Sequence, residues 1–296
     1  MDKIKVIMPV ASWPEALELQ KLALSRYMKE PFELIGVIDT SEIPGPYNLW
    51  DSSLRKTAIR IAESTCDRVV VVPEALHENR SKIFNNTKEV SGNIANLRAA
   101  VTLQYAFNSE ILNENNKVLL IDNDMFPITY FSWEEKMQEN FCRSVVYESR
   151  SKYRKKSIRH LWGGLMFIDA AKIPFKEFWS FDCGKINGIK VDVSGNTHYW
   201  LKLIEENGVE SKFQKIKHYP SLQWNYSDLT DVFSKALKEF IVKDERNLHG
   251  KYYTEFYDET FLHFRAGSNW KKEPAQVVKD RINQFSNSLR NHINEL

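Results

Sequence analysis

The sequence predicts an α/β fold with a mostly parallel central sheet, helices on both faces and a C-terminal helix. Three observations carry this prediction. Four apolar runs, at residues 3–10 (KIKVIMPV), 32–38 (FELIGVI), 68–72 (RVVVV) and 117–121 (KVLLI), have the length and composition of buried strands. The stretches between them carry helical spacing, so the order is β-α-β-α-β-α-β, and right-handed crossovers align the strand C-termini along one ligand-binding edge. Near the end of the chain, Ala275, Val278, Ile282, Phe285, Leu289 and Ile293 fall on one helical stripe.

The elements follow in order. Ser12 and Glu15, with Pro14 between them, form an S-x-x-E capping box before the first helix. Its face is Ala16, Leu19, Ala23 and Tyr27, and it ends before Pro31. The strand 32–38 stops at Asp39, and residues 43–46 (IPGP) form a loop. Residues 54–62 are helical, and Pro73 ends the third strand. Ser91 caps a long helix whose Ile94, Leu97, Val101 and Tyr105 share a face, and 117–121 is the central strand. After Pro127 the pattern loosens into strands at 144–147 and 165–168 and a helix at 196–206 that stops at Asn207-Gly208. The C-terminal stripe is a docking helix or a contact with a second copy. No repeat, low-complexity tract or linker interrupts the chain, which reads as one domain over 1–271 with a helical appendage at 272–296.

Composition narrows the function. With 43% hydrophobic and 27% charged residues, this is an ordinary globular chain. A net charge of +2 and a longest basic run of only KYRKKSIR (152–159) argue against a nucleic-acid partner. Cys66, Cys142 and Cys183 make no C-x-x-C pair or metal-ligand spacing, so reduced thiols and a cytoplasmic location are expected. The N-terminal apolar stretch is short and broken by Pro9, and no segment is apolar for long enough to span a membrane. The 8 Trp and 12 Tyr suit either a large core or sugar stacking.

The chemistry centres on VLLIDNDMFPI. Asp122 and Asp124 flank Asn123 directly after a buried strand, at the ligand-binding edge. Such a triplet can be an Asx-type turn. At a strand end, however, two converging carboxylates repel each other unless a cation or a hydrogen-bond network stabilises them, and oxygen ligands suit Mg²⁺ or Mn²⁺.

Together with the early Pro9, Asp39 ending the second strand, SGNIANLRAA before the triplet, HLWGGLMFID and FLHFRAGSNW, this order of motifs resembles the GT-A glycosyltransferases. The resemblance implies a Rossmann-like sheet, a Mn²⁺ (or Mg²⁺) cofactor, a nucleotide-diphosphate sugar donor with UDP-sugar as the default, and a saccharide or glycan acceptor. It implies metal ligands at Asp122, Asp124 and His263. The histidine segment is similar to the H-x-x-G-x-x-K-P-W signature of glycogenin-like transferases, but Gly267 stands one residue too far and Asn269-Trp270-Lys271 replaces Lys-Pro-Trp. A core histidine bonded to backbone is the other reading of His263. The resemblance further places Pro9, Val10 and Asp39 around base and ribose, and Asn96, Arg98, Asn123 and Gly164 toward the donor. Arg265, Ser268 and Lys271 would reach the leaving diphosphate. The β-α order ending at the triplet, against the looser, Trp-rich remainder, divides the domain into a nucleotide-binding half, 1–125, and an acceptor half, 126–271.

On the acceptor side, Gly163 and Gly164 remove side chains where a sugar could approach the backbone, or simply turn the chain into the next strand. Trp162, Trp200 and Trp224 are the stacking candidates. Asp192 precedes a helix and is the candidate general base of an inverting transfer, with an Asx turn or helix cap as the plain alternative. A retaining enzyme of the same fold and an inactive sugar-nucleotide-binding module stay open. A nucleotidyltransferase or a Rossmann oxidoreductase would need a Gly-rich loop after the first strand, where this chain has ASWPEA, and no H-E-x-x-H supports a zinc hydrolase.

Overall fold

Alternation in the second apolar run shows how the sheet is covered. Ile35 and Val37 join the cluster that holds Ala100, Val101, Leu103 and Trp200, while Gly36 points the other way. There a Cβ would stand 2.9 Å from the Cys66 sulfur and 3.8 Å from Ala62, so a helix lies close on that face too. The geometry is that of a computed structural model, which describes residues 3–10, 13–39, 52–78, 94–150, 157–228, 231–265 and 275–295. Ser12, the loop 43–46, Ser91, Gly267, Ser268 and residues 269–271 lie outside the described residues.

Within these the elements run β1 (Ile4–Val10), α1 (Ala16–Tyr27), β2 (Phe32–Ile38), α2 (Ser52–Thr65), β3 (Arg68–Val71), α3 (Ala75–Glu78), α4 (Ile94–Phe107) and β4 (Lys117–Ile121). They continue with β5 (Met125–Pro127), α5 (Trp133–Met137), β6 (Cys142–Arg150), β7 (Ser157–Asp169), β8 (Gly184–Ile186), β9 (Ile189–Val191) and α6 (Thr197–Glu206). The chain closes with β10 (Phe213–Lys215), β11 (His218–Tyr219), α7 (Lys235–Lys243), β12 (Glu255–Tyr257), β13 (Phe261–His263) and α8 (Ala275–Glu295).

The main sheet has the order β10-β6-β7-β4-β1-β2-β3 among the described residues. β3, β2, β1 and β4 are mutually parallel, as the β-α order predicts, whereas β7 runs antiparallel to both β4 and β6. The fold class expected from the sequence is therefore the one observed: α/β, mostly parallel in the centre, with helices on both faces and a C-terminal helix. β4 is the middle strand, and its C-terminal end delivers Asp122.

The described chain forms two compact units, each drawn from three segments. The first, Met1–Ser12, Glu30–Asp122 and Trp133–Ile216, holds the main sheet and the hairpin β8–β9. The second comprises Trp13–Lys29, Asn123–Ser132 and Lys217–Leu296 and is built on the antiparallel sheet β11-β12-β13-β5.

Inside the second unit, α8 buries the stripe read from the sequence: Val278, Ile282, Phe285, Leu289 and Ile293 are all core residues. Phe285 stacks on Phe264 with ring centroids 4.4 Å apart, and also meets Phe126, Phe240 and Trp13. Each such buried aromatic removes a large apolar area from water. The stripe thus docks α8 within its own unit. At the start of α1, Glu15 occupies the N-cap position in a helical conformation and its side chain makes no cap bond.

Candidate functional site

The second unit places His263 between two acids. Its Nε2 lies 3.0 Å from Oδ1 of Asp124, and its Nδ1 lies 2.8 Å from Oε2 of Glu255. Strand pairing explains the arrangement. Glu255 on β12 is directly opposite His263 on β13, His263 is opposite Met125 on β5, and the Phe264 amide donates to the Asp124 carbonyl at 2.8 Å. Side chains directly opposite each other in an antiparallel pair share one face and touch. All three residues are buried. Burial alone opposes a charged imidazole, but Asp124 and then Glu255 outweigh it and push the His263 pKa up to about 10. Burial would likewise raise Glu255, yet the His263 ring and the Tyr257 hydroxyl hold it well below the usual carboxylate range.

Asp122, Asp124 and His263 each offer one ligand atom, and these atoms lie within 4.8 Å of one another. The set fits a hard divalent ion. Two carboxylates and an imidazole are acceptable ligands, and neighbouring ligands on an octahedral ion of about 2.1 Å bond length stand about 3 Å apart. The Asp124–His263 separation of 3.0 Å matches that spacing.

In the first unit, the Asp122 amide donates to the Gly164 carbonyl at 2.8 Å. Gly163 and Gly164 lie within β7, in a bulge, and not in a turn leading to it. On β6, Ser144 pairs with Met166 and Val146 with Leu161, so one intervening residue faces four. The Ser144 hydroxyl bridges to the carbonyls of Trp162 and Leu165 at 3.3 and 3.4 Å. Neither glycine is required by a positive φ; crowding is the constraint. A Cβ at Gly163 would stand 2.7 Å from both Leu103 Cδ1 and Ser194 Oγ, and one at Gly164 would stand 2.2 Å from the Trp162 ring.

The remaining predicted residues are placed as follows. Asp39 is wholly buried, with Arg98 Nε 2.8 Å from Oδ2, Thr102 Oγ1 3.2 Å from the same oxygen and His77 Nε2 3.2 Å from Oδ1. Two residues assigned separately to the donor pocket thus meet each other. Pro9 and Val10 end β1 beside them, where the Asp39 amide donates to the Val10 carbonyl. Asn96 lies in α4, but its side chain is outside the described residues. Asn123 is buried and uses its amide to donate to the Trp13 carbonyl at 2.7 Å, so it shapes the chain. Arg265 is half-exposed, with Nε 3.7 Å from Glu255 Oε1 and its guanidinium over the Tyr253 ring.

Two stacking candidates are corrected. Trp200 and Trp224 are 0% and 1% exposed, and their indole N–H groups donate to the carbonyls of Pro174 and Thr254. A sugar needs an open ring face, and these rings have none. Trp162 keeps part of its surface. Asp192 is exposed in the turn between β9 and α6, and its Oδ1 accepts the Val193 amide at 2.8 Å. The α6 N-cap position belongs to Asn196, so Asp192 is not that helix's cap.

No protein-family model and no curated protein matches the chain. Among solved structures, the chain is similar to several glycosyltransferases. The apo form of GlyE from Streptococcus pneumoniae TIGR4 is 13% identical over 73% of this chain and 46% of its own, with a TM-score of 0.34. The galactosyltransferase LgtC in complex with donor and acceptor sugar analogs is 8% identical over 99% of this chain and 96% of its own, with a TM-score of 0.42. A 4-diphosphocytidyl-2C-methyl-D-erythritol synthase is 6% identical over 57% and 77%, with a TM-score of 0.29. The chain spans about half the length of GlyE. The site geometry, and not these distant likenesses, carries the function proposed below.

Glu255 and Tyr257 lie outside the motifs of the sequence. A signal existed: a hairpin turning at Asp258-Glu259 pairs Glu255 with His263. It was masked because positive φ at both turn positions is unusual without Asn or Gly. A groove of about 630 Å³ between α7 and α8, lined by Glu239, Lys243, Arg281 and Asn291 among others, includes none of the residues that bear this chemistry.

Proposed function

We propose that this protein is a metal-dependent glycosyltransferase that moves a sugar from a nucleoside diphosphate, UDP by default, to a saccharide acceptor. The observation that supports it most is the Asp122, Asp124 and His263 group following the middle strand of a mostly parallel sheet. Mn²⁺ or Mg²⁺ held there would neutralise charge on the departing diphosphate. In this reading residues 1–125 bind the nucleotide, 126–271 shape the acceptor pocket with Trp162, and Arg265 serves the diphosphate. The bond between Asp122 and Gly164 ties the first acid to the glycine bulge, a feature that often borders active sites. Asp192 offers an exposed carboxylate as the base of an inverting transfer. Among the described residues no helix is long and apolar enough to cross a membrane. The three cysteines form no disulfide, in keeping with work in the cytosol.

The test is donor turnover. Incubated with UDP-sugars and Mn²⁺, the protein should release UDP, and Asp124→Ala should abolish release while keeping the circular-dichroism spectrum of the parent. Undiminished release in excess EDTA would sink the metal reading. A folded wild-type protein that releases no UDP from any donor would favour a binding module.

A further inference from the structure

We propose that Glu255 is a positioning residue that sets the tautomer and ring orientation of His263 as a metal ligand. The inference rests on the metal reading above and adds to it a residue that does not touch the ion. Glu255 is 5% exposed, and a buried carboxylate is costly unless several donors meet it. Four surround it. On Oε2 are the His263 ring at 2.8 Å and the Tyr257 hydroxyl at 2.6 Å; on Oε1 are the Ser221 amide at 3.1 Å and, as a longer ion pair, Arg265 Nε at 3.7 Å. Donors on both oxygens leave the carboxylate one orientation.

The consequence for His263 is chemical. Nε2 faces Asp124, so it is the nitrogen that would bind a metal, and to do so it must present a lone pair. The ring proton must then sit on Nδ1. An ionised carboxylate only accepts hydrogen bonds, so Glu255 beside Nδ1 allows that tautomer and disfavours the other. A backbone-bonded core histidine would need one acceptor. This one has an acid at each nitrogen, a pattern that suits a ligand held from behind.

Metal binding and tautomer, read separately from activity, test the proposal. Titration of the whole 296-residue chain with Mn²⁺, followed by the electron paramagnetic resonance of free Mn²⁺, should give Glu255→Gln an affinity about 10- to 100-fold weaker than wild type. Nitrogen-15 NMR with diamagnetic Mg²⁺ should show the Nδ1–H tautomer of His263 in wild type and a mixture in Glu255→Gln, whose amide can also donate. Tyr257→Phe keeps the carboxylate and removes one of its donors, and should weaken Mn²⁺ about three- to tenfold. A folded Glu255→Gln with wild-type affinity overturns the proposal. If that variant does not fold, unchanged affinity in Tyr257→Phe overturns it equally. A wild-type protein that binds no Mn²⁺ refutes the metal reading itself, and this inference falls with it.

Discussion

The indole of Trp162 lies across Gly164, two residues along the same strand, so closely that a Cβ at Gly164 would stand 2.2 Å from ring carbon Cζ2. Gly164→Ala must therefore push the indole out of place. The expected cost is about 1–3 kcal/mol, as for overpacking elsewhere. A lower urea midpoint with a shifted tryptophan emission is the result to look for. Unchanged emission would mean that the ring and the glycine are independent.

Phe285 is fully buried among four aromatic rings of its own unit. Phe285→Ala should cost about 3–5 kcal/mol. Denaturation curves check this, and a loss under about 1 kcal/mol would show that the cluster closes over the cavity.

Glu110 gives a pH-dependent prediction away from the candidate site. It accepts from Arg68 at 2.7 Å and lies 3.2 Å from Lys5. Burial would raise its pKa, but Arg68 and Lys5 more than offset that and lower it. A depressed carboxylate stabilises the fold above its ordinary pKa, and the contribution disappears as pH falls through the lower folded value. Arg68 is 39% exposed, so the figure for Glu110→Gln at neutral pH is discounted to about 1–2 kcal/mol. The gap between wild type and variant should hold above the ordinary carboxylate range and narrow as pH falls below it. A constant gap would assign the effect to shape and remove charge from the account.

Asp192→Asn tests the stereochemical half of the proposed function. A general base contributes about 10²–10⁴-fold, so turnover should fall by that order while donor affinity stays. Proton NMR of the product's anomeric centre is the companion measurement. Retention of configuration would exclude the inverting course, and near-normal turnover in the variant would remove Asp192 from the chemistry.

The parts that were legible in the sequence are those fixed by local pattern. β2 and β4 have the predicted bounds because each is an apolar run closed by a polar residue. The α8 stripe was readable because 3.6-residue spacing survives over many turns. The acids after β4 follow from the strand itself. What stayed hidden depends on distant partners. No local rule separates Trp162, partly open, from Trp200 and Trp224, enclosed by residues far along the chain. The glycine pair left a sugar approach and a turn equally open because its bulge exists only against β6. Glu255 became visible once β12 and β13 were paired, since its partnership with His263 is a matter of register.

The second unit is assembled from three segments far apart in the chain, with Trp13 of its earliest segment against Phe285 of α8 at 6.4 Å. On the ribosome, the segments of the first unit are all made by Ile216, whereas α1 waits longer for α8. Synthesis proceeds at about 5–20 residues per second, so several seconds separate the two events. Throughout that interval the ring of Tyr27 on α1, buried in the finished protein, lacks its α8 neighbour His292, whose ring centroid lies 5.9 Å away. The nascent chain thus carries an amphipathic helix one of whose partners is made much later, which gives it the character of a chaperone client until α8 emerges.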